Sequence, residues 1–263
     1  MSETCERCDG TGFRIVDREG REYAQPCECR DSRSKGSSED TFLSSCRVPP
    51  RYEHCTFDNF DSLTSSQRQA LERAKGYCAG YPYLRQEDEG LGLLFTGSNG
   101  VGKTHLAVAV LRELVTGRGA QGQFWDFHEL IREIKRSYDP ETRTTEVQVL
   151  DPVVEADVLV LDDLGAWKMT DWMNDTLFYI LNCRYIAKRT TIITTNYEDV
   201  DRQAVMAADP LVRKEYLVER IGLRLRSRLL EMCVVVQVSG SDMRRSSRQE
   251  LNRLIARGGS VGP

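Results

Sequence analysis

Gly97-Ser98-Asn99-Gly100-Val101-Gly102-Lys103-Thr104 is the stretch on which the reading of this chain turns. It fits the pattern G-x-x-x-x-G-K-[ST], and its flanks fit as well. Leu91 to Phe95 is an apolar run of strand length, and His105 to Val115 reads as a helix. Strand, glycine-rich loop and helix in that order make a phosphate cradle. The glycines let the backbone close on an anion, so that several N–H groups and the positive end of the helix meet it. In such a loop the Lys103 ammonium reaches the β- and γ-phosphates of a nucleoside triphosphate, and the Thr104 hydroxyl holds Mg²⁺. Residues 97 to 104, with His105 behind them, are the candidate nucleotide-binding set.

Three further segments carry chemistry in the same order along the chain. Val158-Leu159-Val160-Leu161-Asp162-Asp163-Leu164-Gly165 is an apolar strand ending in two acids. Beside a phosphate loop, the first acid meets Mg²⁺ and the next orients or deprotonates the attacking water, so Asp162 is assigned to the metal and Asp163 to the water. Such a strand is expected to lie next to the one that feeds the loop. The same pair of acids would also cap a helix after a strand. Ile192-Ile193-Thr194-Thr195-Asn196 is another such strand, ending in an amide that can hydrogen-bond a γ-phosphate or the water. Finally, Glu219-Arg220-Ile221-Gly222-Leu223-Arg224-Leu225-Arg226-Ser227-Arg228 spaces Arg220, Arg224 and Arg228 four apart, along one face of a helix. A row like that suits an anion on a neighbouring molecule, where an arginine is worth roughly 10³–10⁵ in rate. It would equally serve structural salt bridges.

Between Leu91 and Val238 strand-like and helix-like segments alternate. Strands are predicted at Leu91–Phe95, Gln123–Asp126, Val158–Leu161, Thr191–Thr195 and Val234–Val238, with helices such as Phe127–Tyr138 and Asp171–Ala187 between them. That is the pattern of an α/β fold, a parallel sheet flanked by helices. Upstream, Thr56-Phe57-Asp58-Asn59-Phe60 places two aromatics three apart. They suit the flanks of an adenine base, or a hydrophobic staple for a helix starting near Thr64.

Composition bounds the rest. The 263 residues are 40% apolar and 29% charged, with no run long enough to cross a membrane. The N-terminus lacks the basic and apolar parts of a secretion signal, so a cytoplasmic protein with nine reduced cysteines is expected. A net charge of −4 excludes a general polyanion binder, but basic residues outnumber acids from Arg213 to Arg257. Cys5-x-x-Cys8 and Cys27-x-Cys29 bracket Phe13-Arg14-Ile15-Val16 and a turn at Glu19-Gly20, the layout of a small zinc ribbon holding structural Zn²⁺ between four thiolates. The other reading is reduced thiols on a loose arm. The predicted organisation is a zinc-ribbon-like module over 1–32, a polar linker over 33–46, a nucleotide domain over 47–238 and a basic, flexible tail over 239–263.

Taken together, these motifs resemble the AAA+ family, and more narrowly the DnaC/DnaI helicase loaders and the related IstB transposition ATPases. The resemblance covers roughly residues 47 to 238. It implies a P-loop AAA+ sheet with a reduced or absent helical lid, ATP with Mg²⁺ as ligand, and an ATP-dependent homo-oligomer. It implies Arg220 as an arginine finger acting in trans and Arg224 as a second sensor. Many members carry Glu where this chain has Asp163, and the shorter side chain implies slow hydrolysis. In the loader branch the helix His128–Tyr138 would line a single-stranded DNA path through Lys135, Arg136 and Tyr138. The cysteine module would then grip the replicative helicase. The transposition branch implies a transposase as partner instead, and a third expectation is a nucleotide-gated adaptor with little hydrolysis.

Overall fold

The computed structural model describes residues 13–18, 21–26, 42, 45–84, 92–142, 144–200 and 215–244. Strands β1 (Phe13–Arg18) and β2 (Arg21–Pro26) form an antiparallel hairpin, in register from Phe13 opposite Pro26 to Arg18 opposite Arg21. This is the predicted hairpin; Cys5, Cys8, Cys27, Cys29 and the Glu19-Gly20 turn lie outside the described residues.

Five strands form the main sheet: β3 (Gly92–Thr96), β4 (Gly122–Asp126), β5 (Val158–Leu164), β6 (Thr190–Thr195) and β7 (Cys233–Gln237). Their order is β4-β5-β6-β3-β7 and every neighbouring pair is parallel, as an α/β fold requires. Strand periodicity then divides the core in two. Leu93, Phe95, Val158, Val160 and Ile192 face one layer, while Leu94, Leu159, Leu161 and Ile193 face the other. Helices α1 (Ser65–Leu84) and α2 (Lys103–Arg118) cover the first face. The second is covered by α3 (Phe127–Arg136), α4 (Glu146–Glu155), α5 (Asp171–Ile186) and α6 (Leu217–Met232). With both faces buried, the middle strands read as unbroken apolar runs rather than alternating ones.

The sheet order corrects one expectation. The acid-bearing strand β5 is not the neighbour of the loop-feeding strand β3, because β6 lies between them. β3 and β5 are both apolar and buried on both faces, so their sequences carried no information about which neighbour each takes. The consequence is functional: the strand ending at Asn196 separates, and therefore bridges, the loop and the acids. The helical row of arginines is corrected too. Gly222 has φ 78° and ψ 165°, outside helical space, so α6 is kinked between Arg220 and Arg224. The core also reaches beyond the predicted domain limits. Phe42 and Cys46, placed in the polar linker, are fully buried, and the Cys46 carbonyl accepts from Phe124 N at 2.7 Å. Among the described residues, no helix is long and apolar enough to cross a membrane.

Arg184 of α5 ties the second layer together. It is fully buried and donates to the carbonyls of Val153 and Ala156 at 2.8 Å each, to Val154 O at 3.2 Å, to Thr191 Oγ1 at 3.0 Å and to the Thr190 carbonyl. A cation at the carbonyl end of α4 meets the negative end of that helix. Burial pulls the guanidinium down to about 9, which still leaves it charged at neutral pH. Replacing it by an apolar side chain strands those buried carbonyls. Arg184→Met is therefore expected to lower stability by about 3 kcal/mol or more, read as a fall in urea midpoint at unchanged slope.

Candidate nucleotide-binding site

The loop follows β3 and ends at Gly102, the N-cap of α2. Gly102 has φ 99°, and a Cβ there would stand 2.5 Å from the ring of buried Phe60. A residue without a side chain at the N-cap leaves the first helical N–H groups open to an anion. Gly100, at φ 78°, is as constrained: a Cβ would meet Asp242 Oδ1 at 1.8 Å. Phe60 thus serves the loop itself, packing edge-on against His105 with ring centroids 5.2 Å apart. Phe57 lies partly buried against the same core. The turn between them is held by reciprocal bonds, Thr56 N to Asn59 Oδ1 at 2.9 Å and Asn59 N to Thr56 Oγ1 at 3.3 Å.

Lys103 is buried, and its ammonium donates to Ser98 O at 2.7 Å and to Asn196 Oδ1 at 2.8 Å. Asn196 in turn donates to Asp163 Oδ1 at 2.5 Å. One amide therefore joins the phosphate-loop lysine to the second acid. The first acid, Asp162, accepts from Thr104 Oγ1 at 2.9 Å and Thr194 Oγ1 at 2.5 Å. The pairing of β5 with β6 shifts register between Leu161 and Leu164, and Asp163 takes φ 58° within that irregularity. A non-glycine residue there is strained, and the bulge aims both acids at the loop. β5 thus runs on through the irregularity to Leu164, past the predicted end at Leu161.

The charges are concentrated where water is scarce. Burial pushes the Asp162 carboxyl up to about 6, helped by Asp163 and Asp126 and opposed by the two threonine hydroxyls. Asp163 is raised by burial and by Asp126, and lowered by Lys103, Asn196 and Arg244. Burial pulls Lys103 down to about 8 against the attraction of Asp163 and Asp162. Thr104 and Asp162 supply a hydroxyl and a carboxylate oxygen side by side. That hard-oxygen pair fits Mg²⁺, which fills its other positions with water and phosphate oxygens. When bound, Mg²⁺ would neutralise charge that builds on the phosphates.

The cavity around these groups measures about 750 Å³, within the range of small-molecule sites. Tyr52, His54 and His105 line one end, with His105 Nε2 fixed to Thr56 O at 2.8 Å. Asp126, Asp242 and Arg244 also line it, and none of the three was singled out from the sequence. Asp126 had a legible signal: it ends β4, caps α3 by accepting from Glu129 N at 2.9 Å, and pairs in register with Asp162. Arg244 had none, because it lies in the stretch read as a flexible tail. Residues 239–244 instead return to the loop, with Met243 N donating to Gly100 O at 3.0 Å.

The arginines of α6 are dispersed. Arg220 donates to the carbonyls of Gly165 at 2.8 Å and Ala166 at 3.1 Å and pairs with Glu215 at 3.2 Å. Arg224, assigned the second-sensor role, does not line the pocket. It lies over the Phe178 ring at 3.7 Å, 3.9 Å from Asp175, with 70% of its side chain in water. Arg51 and Arg244 are the arginines among the residues lining the cavity. Arg228 pairs with Glu231 at 2.8 Å. On α3, Lys135 stands 5.2 Å over the Trp172 ring and Arg136 pairs with Glu133 at 3.1 Å, while Tyr138, two residues past the end of the helix, meets the Trp172 ring edge-on at 6.2 Å.

A parallel sheet with a strand inserted between loop and acids, a glycine-rich loop on a helix N-terminus, and a polar residue bridging the two define a P-loop ATP-binding fold of the AAA+ class. The comparisons narrow it. The chain belongs to the IstB-like ATP binding protein family, whose model matches residues 52–251. It is similar to the replicative helicase loader DnaC of Escherichia coli K12, 27% identical over 150 residues that span 57% of this chain and 58% of that protein. The chain thus matches a little over half the length of that relative. It is also similar to the replicative helicase loader DnaI of Bacillus subtilis, at 23% identity over 83% of this chain and 67% of that one. Among solved structures, a crystal structure of the DnaC helicase loader superposes with a TM-score of 0.59 and 33% identity, covering 73% of this chain and 100% of that one.

The site's electrostatics carry a measurable cost. A carboxyl raised from 3.8 to about 6 on folding costs stability progressively from about pH 4 to pH 6 and in full above that, because the folded state holds its anion less well than water does. Asp162→Asn keeps an acceptor for both threonines and removes the buried anion. The ligand-free variant is expected to melt a few degrees above the unaltered chain at pH 7.5, with the gain shrinking from about pH 6 downward and vanishing below about pH 4. It should also lose the upward shift in Tm given by Mg²⁺-ATP.

Proposed function

We propose that this chain is a helicase-loader-like ATPase that binds Mg²⁺-ATP and single-stranded DNA, assembles with copies of itself and delivers the replicative helicase. The observation that carries the catalytic part is the Lys103–Asn196–Asp163 connection, with its two hydrogen bonds of 2.8 and 2.5 Å. A γ-phosphate entering the loop competes for Lys103 and for the Asn196 amide, which frees Asp163 to act on water. Binding and the state of the general base are then one event. Asp163 is a short base held by an amide, which supports slow basal turnover. In the holding of the nucleotide, residues 97 to 105 surround the phosphates, Thr104 and Asp162 hold Mg²⁺, and Arg244 adds positive charge from the same chain.

For the contact in trans the geometry favours Arg224 over Arg220. Arg220 is occupied by two backbone carbonyls and Glu215, whereas Arg224 is turned to water over the Phe178 ring, with one long ion pair among the described residues. The DNA reading is supported by Lys135, Tyr138 and Trp172, which group a cation with two aromatic rings on the outside of α3 and α5. That is the combination single strands use, phosphate attraction plus base stacking. The partner reading rests on the two loaders to which the chain is similar and on the cysteine module, for which Zn²⁺ between Cys5, Cys8, Cys27 and Cys29 is proposed. A second reading, a transposition helper that delivers a transposase, is favoured by the IstB-like family model.

Turnover of variants, metal analysis and partner capture test these readings, and capture separates the two partners. Lys103→Ala should abolish multiple-turnover ATP hydrolysis. Arg224→Ala should bind ATP as the unaltered chain does yet lose DNA- or partner-stimulated turnover by about 10²-fold or more. Stimulated turnover lost with Arg220→Ala and kept with Arg224→Ala would return the finger to Arg220. Capture of the host's replicative helicase in ATP but not ADP, lost when Cys5 and Cys8 are both replaced by Ser, is expected of the loader. One zinc per chain by metal analysis should fall with the same substitution. Capture of a transposase in place of the helicase would establish the second reading.

A further inference from the structure

Trp167 stands in the segment between β5 and α5, four residues after Asp163. It is 58% exposed. One face of the indole is nonetheless engaged, stacked on the His128 ring in the first turn of α3 with centroids 4.5 Å apart and planes 17° from parallel. The pair contributes nothing to either core cluster. An indole ordered by an imidazole beneath it, with its outer face in water, is a preformed flat platform. Lys168 beside it and Arg132, one helical turn beyond His128, are both exposed. The acids of the same helix are Glu129, exposed, and Glu133, which is taken by Arg136.

We propose that Trp167 on His128 is a nucleobase-stacking site for single-stranded DNA, a station separate from the Lys135–Tyr138–Trp172 group. The inference rests on the single-stranded DNA reading given above and adds to it a residue, a contact and a path. His128 and Lys135 are seven residues apart on α3, a rise of about 10 Å. Three stacked bases at about 3.4 Å each cover that distance. A short stretch of strand therefore spans both stations, with Arg132 and Lys168 placed for the phosphates between them. Stacking on an indole is tolerant of base identity, because every base has a π face.

The position of the platform also joins it to the hydrolytic centre. Ala166 N donates to Asp163 O at 3.3 Å, and Arg220 grips the carbonyls of Gly165 and Ala166. A base seated on Trp167 thus acts on the four-residue segment that starts at Asp163. DNA-stimulated turnover is expected to depend on this ring.

The test uses the full chain with Mg²⁺ and a non-hydrolysable ATP analogue. Fluorescence anisotropy is read on a labelled oligothymidylate and on an abasic strand of the same length. Trp167→Ala is expected to weaken oligothymidylate binding about tenfold and to leave abasic-strand binding unchanged. Trp167→Phe, which keeps a ring, should restore most of the loss. Lys135→Ala should weaken both strands. If Trp167→Ala binds oligothymidylate as the unaltered chain does while Lys135→Ala is weakened, the platform is overturned and the DNA reading stands. Equal weakening of both strands by Trp167→Ala would overturn stacking as its role. No binding of either strand by the unaltered chain would overturn the DNA reading and the platform together.

Discussion

A lysine ammonium and two carboxylates share one site, Lys103 and Asp162 buried and Asp163 half-buried, and the rest of the fold is arranged to tolerate them. Among the described residues, Lys103 has no carboxylate in hydrogen-bond contact; it is held by a carbonyl and an amide oxygen. Asp162 is satisfied by two threonine hydroxyls instead of a cation. Each charge is thus hydrogen-bonded but not neutralised, which is how the pocket stays poised for a polyanion carrying Mg²⁺. Replacing the missing countercharges is what a nucleotide would contribute, and it is the reason binding and stability are linked here.

That arrangement depends on three strand ends meeting at one edge of the sheet. β3 delivers the loop, β5 the acids and β6 the amide that reads both. With β6 between them, Thr194 reaches Asp162 and the Asp163 backbone, and Asn196 reaches across to Lys103. The bulge in β5 is the local strain that makes this possible. The segments that leave this edge carry the outward contacts. The one after Asp163 is gripped by Arg220 and holds Trp167. The one after β7 returns Asp242, Met243 and Arg244 to the phosphate loop.

Much of the site was legible before any fold was known, because phosphate binding and metal binding demand particular residues at fixed spacing. Gly102 and Lys103 must be where they are for backbone and ammonium to meet an anion, and the acids must follow an apolar strand. The arginines were less legible. Four-residue spacing promises a shared face only on an unbroken helix, and Gly222 breaks this one. Arg244 was invisible because its role depends on a chain reversal that no periodicity encodes. Trp167 and His128 are 39 positions apart in sequence, so no local pattern could have paired them.

By itself the sequence determined the α/β class, the phosphate loop, the two acids and the amide. These follow from short-range rules: strand and helix periodicity, and the backbone freedom of glycine. Tertiary structure decided which strands are neighbours, which arginines line the cavity and which face water, and which aromatics stack in the open. The physical reason is that strand order and side-chain exposure are set by how two helical layers close over a sheet. Apolar runs buried on both faces look alike whichever neighbour they take.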